Sequence, residues 1–290
     1  MGFGRVITAM VTPFNDQLEI EWSMVEQLVE YLIVEQQSDS LVISGTTGES
    51  PTLTDEEKLR LFETAVRVSA GRAKIIAGTG SNDTAHSVHL TKEAEKVGVD
   101  GVLLVAPYYN RPTQEGLYRH FKAIASQTKL PVILYNVPKR TGSNISAETT
   151  IRLSRECANI VATKEAHDNI EQITNIIKHT PEHFLLYSGD DETTLPVLAI
   201  GGHGVISVVS HIVGREIQQM VKAFFAGNVQ EAARLHGELM PIFKGMFLYP
   251  NPVPIKYALT LRGKPVGGVR LPLVDLSEQE RSDIRAVLGQ

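Results

Sequence analysis

Short apolar runs rich in Val, Ile and Leu recur along the chain, each followed by a polar loop and then by apolar residues at helical spacing. That alternation marks repeated βα units around a parallel sheet, whose strands are buried on both faces and so read as continuous apolar runs. Eight strands are predicted, at residues 6–10, 41–44, 74–77, 102–106, 132–135, 160–164, 184–188 and 205–207.

The intervening helices carry start and stop signals. Thr54 with Glu57 three residues on is a capping box, in which each side chain satisfies a backbone N–H of the first turn. Asn82 and Ser146 are predicted N-caps, Pro112 precedes a helix over 114–128, and Gly71 follows one that ends near Ala70. The loop after the seventh strand, with Asp190 and Asp191, predicts a helix N-terminus near Asp191.

Eight βα repeats by about residue 226 predict an α/β fold, a closed (β/α)8 TIM barrel. An open doubly wound sheet would announce a Gly-x-Gly-x-x-Gly turn after its first strand, and none is present. Beyond residue 226, the stretches 228–247, 254–261 and 277–288 read as helices with no strand-like run between them. The expected division is a barrel over 1–226 and a C-terminal helical extension over 227–290, without a low-complexity linker.

Composition narrows the function. A chain of 290 residues with 42% hydrophobic content suits one barrel-sized domain or two smaller ones, and the repeats decide for the barrel. A formal net charge of -5 argues against nucleic acid as a partner and leaves small anions open, since these need only a local basic group. The single cysteine, Cys157, has no intrachain disulfide partner and reads as a core residue, which fits a reducing compartment. No charged segment followed by a long apolar stretch opens the chain and no later run approaches a membrane span, so a cytoplasmic protein without a membrane partner is expected. The nine histidines show no His-Glu-x-x-His or comparable spacing, so no metal site is expected.

Chemistry in such barrels sits at the C-terminal ends of the strands. The sixth strand ends in Lys164. A lysine there ordinarily reaches solvent over an apolar stem; as a nucleophile it needs a desolvating or cation-flanked setting, because an unperturbed pKa of about 10.4 leaves roughly one amine in a few thousand neutral at pH 7.

After the second strand, Gly45-Thr46-Thr47-Gly48-Glu49-Ser50 offers hydroxyls and backbone N–H groups to a carboxylate. Pro107-Tyr108-Tyr109-Asn110-Arg111-Pro112 follows the fourth strand with two phenols, alternatively packing groups. Tyr135 closes the fifth, with Arg140 just beyond as a candidate carboxylate clamp. Glycines at 201, 202 and 204 frame the eighth and allow backbone to approach a ligand, a phosphate site being the competing reading there.

Together the turn at 45–50, Tyr108-Tyr109-Asn110-Arg111-Pro112, Tyr135-Asn136-Val137-Pro138 with Arg140-Thr141-Gly142, Lys164-Glu165-Ala166 and Ser188-Gly189-Asp190-Asp191 resemble the 4-hydroxy-tetrahydrodipicolinate (dihydrodipicolinate) synthases of the pyruvate-dependent class I aldolase and N-acetylneuraminate lyase family. The resemblance runs in register through the barrel and into the C-terminal helices. It implies condensation of pyruvate with L-aspartate 4-semialdehyde, the committed step toward diaminopimelate and lysine, without a cofactor. By the same resemblance Lys164 forms the Schiff base and Tyr135, Thr47 and Tyr109 make the proton relay. Thr46 and Thr47 hold the pyruvate carboxylate, Arg140 receives that of the semialdehyde, and Gly189 and Ile206 line the site through their backbone.

The assembly implied is a homotetramer, a dimer of dimers, with Tyr109 crossing the tight dimer interface. Another pyruvate-dependent aldolase acting on a sugar-acid aldehyde is the alternative. Ser50, Asn82 and Tyr108 match the lysine-effector site of feedback-inhibited members, whereas Lys58 and His86 replace its His and Glu, which implies weak or absent inhibition by lysine.

Overall fold

Strands β1 (Val6–Ala9), β2 (Ser40–Ile43), β3 (Lys74–Gly78), β4 (Gly101–Val105), β5 (Val132–Asn136), β6 (Ile160–Glu165), β7 (Leu185–Ser188) and β8 (Gly204–Ser207) follow one another around a closed barrel in the computed structural model, which describes residues 2–289. β1 pairs with β2 in parallel, and so does each neighbour from β3 to β8. The helices between and after them are α1 (Trp22–Val34), α2 (Asp55–Ser69), α3 (Thr84–Val97), α4 (Gln114–Ala125), the short α5 (Pro138–Thr141), α6 (Ala147–Glu156), α7 (Ile170–His179), α8 (Thr194–Ala199), α9 (Ser210–Phe225), α10 (Val229–Gly245), α11 (Val253–Leu261) and α12 (Glu278–Val287). The (β/α)8 barrel with trailing helices read from the repeats is the fold. No helix among the described residues is long and apolar enough to cross a membrane.

The chain forms two compact units. In the first, Ile75–Ile206, the strand interiors are apolar and closed to solvent: Ile133, Leu134, Ile160, Ala162 and Tyr187 are all buried. Tyr135 pairs with Lys164 and Asn136 with Glu165 across β5 and β6. Because successive residues of a strand face opposite ways, Tyr135 and Lys164 share one face and Asn136 and Glu165 the other.

The second unit joins Phe3–Lys74 to the chain from Ser207 onward. His211, fully buried at the start of α9, clips that helix to the end of β1: its Nε2 accepts the Val11 N–H at 3.1 Å, and its Nδ1 lies 2.7 Å from the Val208 carbonyl. The first contact makes Nε2 an acceptor, so Nδ1 carries the proton and the ring is neutral.

Most boundaries lie within a residue or two of the expectations, and the differences nearest the strand-end loops are these. The N-cap of α3 is Asp83 and not Asn82, because the Asp83 carboxylate accepts the N–H groups of Ala85 and His86 while the Asn82 amide donates to the Tyr108 carbonyl. α8 begins at Thr194, beyond Asp191. α4 ends at Ala125 and does not extend to residue 128. β6 runs one residue further, through Glu165. The capping box of Thr54 and Glu57 is present, Ser146 caps α6, and Asn228 caps α10.

Burial sets a pH dependence. Desolvation lowers the pKa of His211 from 6.5 to about 4, and that of the buried His120 on α4 likewise to about 4, against a weaker opposing pull from Asp83. Both histidines protonate in the unfolded chain before they do in the native one, so stability is intact above pH 6.5 and falls as the pH drops toward 4. Each contributes up to about 3 kcal/mol to that loss. Denaturant midpoints measured from pH 7 to 4 should decline across this window; a flat profile would contradict buried neutral rings.

Candidate active site

Lys164 is 5% exposed near the end of β6, and its Nζ lies 4.2 Å from the centre of the Tyr135 ring on β5. Its strand neighbours are Tyr135 on one side and Tyr187 of β7, fully buried, on the other. Among the described residues no carboxylate forms an ion pair with Lys164 and nothing accepts a hydrogen bond from it. A buried amine without a neutralising partner is costly to hold as a structural element, and such groups concentrate at functional sites.

Gly189 follows β7 directly beneath this amine. A Cβ built there would lie 2.7 Å from the Ala166 Cβ and 2.9 Å from the Lys164 Cε, so the absence of a side chain is what leaves the lysine its path. Gly189→Ala is expected to displace the amine and lower turnover about a hundredfold, the usual consequence of an ångström-scale misplacement. Steady-state kinetics check it, and wild-type turnover would show that Lys164 has room to move.

On the opposite face of β6, Glu165 is wholly buried. Its carboxylate accepts from the Thr163 hydroxyl at 2.6 Å and the Asn136 amide at 2.8 Å, and lies 2.6 Å from His167 Nε2. His167 Nδ1 accepts the Asn169 N–H at 3.1 Å, so Nε2 carries the proton and donates to Glu165. Asn136 in turn accepts the Ile145 N–H. This network locks the tips of β5 and β6, the two strands that present Tyr135 and Lys164, and it orients them as buried carboxylate networks orient functional groups elsewhere.

Arg140 lies on α5, exposed, and no described residue forms an ion pair with it. Tyr109 is 87% exposed and held at φ 71°, a left-handed backbone in which aromatic residues are rare. Ile206 is buried on β8. Among the described residues no cluster of three or more His, Cys, Asp or Glu side chains is arranged to hold a metal ion.

In the second unit, the turn after β2 is wound through left-handed Ser44 and Glu49, at φ 57° each. Its internal bonds run from the N–H groups of Gly48 and Ser50 to the Gly45 carbonyl and from Glu49 to Thr46. The N–H groups of Thr46 and Thr47 donate to no described residue, which leaves two successive donors for an anion. Thr47 is 3% exposed, and its hydroxyl accepts from the Asn251 amide at 3.0 Å; Thr46 is half-buried.

Glu49 anchors the turn from beneath. Its carboxylate lies 2.7 Å from the buried Lys256 Nζ and accepts the Arg270 N–H at 2.9 Å. Sequence reasoning passed over Tyr187, Asn251 and Lys256, and gave no role to Glu165 and His167. Only the last pair left a trace, in the period-two spacing of Thr163, Glu165 and His167.

A parallel barrel carrying a buried strand lysine with no ion-pair partner among the described residues, set against a phenol, has the arrangement that an amine nucleophile requires. The profile of the Dihydrodipicolinate synthetase family matches residues 2–290, and the chain belongs to that family. It is 54% identical over 290 residues to the 4-hydroxy-tetrahydrodipicolinate synthase of Bacillus subtilis, covering 100% of both chains. It is 55% identical over 287 residues to that of Desulforamulus reducens, covering 99% of this chain and 97% of the relative.

Among solved structures, a dihydrodipicolinate synthase of Bacillus anthracis superposes with a TM-score of 0.97 at 50% identity, over 100% of this chain and 99% of that one. The enzyme of Cyanidioschyzon merolae, solved with lysine bound, gives a TM-score of 0.97 at 48% identity over 99% of this chain and 97% of the other.

Proposed function

We propose that the chain condenses pyruvate with L-aspartate 4-semialdehyde through a Schiff base on Lys164, giving 4-hydroxy-tetrahydrodipicolinate for the diaminopimelate route to lysine. The observation that carries this reading is the buried, unpaired Lys164 against Tyr135, in a chain of this family.

The Lys164 amine attacks the ketone carbon of pyruvate, and loss of water leaves an iminium. That cation withdraws electrons from the adjacent methyl group, a proton departs, and the resulting enamine attacks the aldehyde carbon. The substrate's own amine then adds to the iminium carbon, closes the ring and expels Lys164. Each step moves a proton, the work assigned to Tyr135, Thr47 and Tyr109; positioned acid–base groups of this kind contribute about a hundred- to ten-thousand-fold.

Thr46 and Thr47 receive the pyruvate carboxylate, supported by their free N–H groups, and Arg140 receives that of the semialdehyde, supported by its unpaired guanidinium. Gly189 and Ile206 line the site through their backbone. The reaction as written needs no metal or organic cofactor.

The proposed assembly is a cytoplasmic homotetramer, a dimer of dimers, in which Tyr109 enters a neighbouring subunit. An aromatic side chain 87% exposed on a left-handed backbone supports a role at an interface. The test of the reaction is turnover of pyruvate with aspartate 4-semialdehyde against a panel of sugar-acid aldehydes. Preference for a sugar aldehyde would replace the synthase reading with that of a sugar-acid aldolase.

Lysine at physiological concentration is expected to inhibit weakly or not at all. Lys58, buried and paired with Asp55 at 3.5 Å, places a cation where feedback-inhibited members carry His. Initial rates with added lysine check this, and strong inhibition would contradict it.

A further inference from the structure

We infer that Asn251, at the entry to α11, is a positioning residue that fixes the direction of the Thr47 hydroxyl proton. The inference rests on the reading that Thr47 acts on pyruvate and its protons, and extends it to a residue outside the barrel strands.

The two side chains meet in the protein interior, Asn251 at 6% exposure and Thr47 at 3%. The Asn251 Nδ2 donates to the Thr47 Oγ1 at 3.0 Å. A hydroxyl has one proton, and one that already accepts from an amide turns that proton toward another acceptor. The Asn251 amide therefore makes Thr47 a donor on its remaining side, the role required both for holding a carboxylate and for passing a proton onward. The contact is isolated, because the Asn251 Oδ1 finds no partner among the described residues, so the amide is committed to Thr47 through its nitrogen alone.

The same stretch of chain also grips the turn through Lys256 and Glu49, which fixes the backbone from which Thr47 projects. The C-terminal extension thus holds the turn through the Glu49 carboxylate and through the hydroxyl of Thr47. Orienting partners of this kind typically change activity ten- to a hundredfold.

The test compares Asn251→Ala and Asn251→Asp with wild type in steady-state kinetics for pyruvate from pH 6 to 9, alongside denaturant midpoints. N251A should lower kcat/KM for pyruvate about 10- to 100-fold. N251D, nearly isosteric, should lose more at pH 8, since an ionised carboxyl accepts the Thr47 proton and turns it away from substrate. Burial at this position raises the pKa of the introduced carboxyl, so activity relative to wild type should recover several-fold toward pH 6 as the carboxyl gains a proton and donates again.

N251D with wild-type rates would mean that the amide oxygen faces Thr47, and would overturn the inference. So would losses in both variants that are equal at every pH and track the denaturation midpoint, the mark of a purely structural contact. Borohydride trapping of pyruvate in the wild type separates the levels. An adduct on Lys164 with unaffected Asn251 variants sinks this inference alone, whereas no adduct sinks the function on which it rests.

Discussion

Lys164→Met is expected to eliminate turnover, a loss of at least about ten-thousand-fold, because the first bond of the reaction cannot form and no neighbouring amine substitutes for it. Methionine has nearly the same length and fills the same volume, so the loss belongs to the amine and not to packing. The stability change should have the opposite sense. Lys164 is 5% exposed and makes no ion pair among the described residues, so an apolar replacement removes a desolvation cost and holds or raises the denaturant midpoint. A variant that is inactive and at least as stable as wild type is the signature of a residue kept for chemistry. Turnover within tenfold of wild type would remove Lys164 from the mechanism.

The largest stability effect is expected at Lys256→Met. Burial pulls the Lys256 pKa down from 10.5 to about 8, with Glu49 pulling the other way, so desolvation outweighs the pairing. Such a pair contributes little net stability relative to apolar residues of similar volume, yet removing one member strands the other charge. In K256M the Glu49 carboxylate, 3% exposed, keeps the Arg270 N–H and loses its cation. The expected cost is about 3–5 kcal/mol. Restoring neutrality with Glu49→Gln in the same chain should recover much of it. Denaturation of both variants checks this, and a K256M midpoint equal to wild type would mean that Arg270 alone neutralises Glu49.

Local signals carried the architecture. Each strand of the barrel is built on a run of β-branched and aliphatic residues, and α2, α3, α4, α6, α7, α10 and α12 each start on a capping side chain, so neither signal depends on distant residues. The tip of β6 was misjudged because a charged residue after Lys164 suggests loop, whereas Glu165 stays in the strand, satisfied by Asn136 and His167. At the start of α3 two adjacent side chains were each competent to cap, and only the backbone angle decides for Asp83.

The candidate site divides in the same way. Lys164, Tyr135, Arg140 and the threonine turn stand out because strand-end loops are where barrels keep their chemistry, and the family resemblance gave each a role. Asn251 and Lys256 had no such marker. Their partners Thr47 and Glu49 lie some two hundred residues away in sequence, and a polar residue near a helix start reads as solvent-facing until the fold buries it.

The most direct measurement is to incubate the protein with pyruvate, reduce with borohydride and locate the adduct by mass spectrometry. One pyruvate-derived adduct per chain is expected on Lys164, and none in the Lys164→Met variant. An adduct on another lysine, Lys256 included, or no adduct in an active preparation, would contradict it.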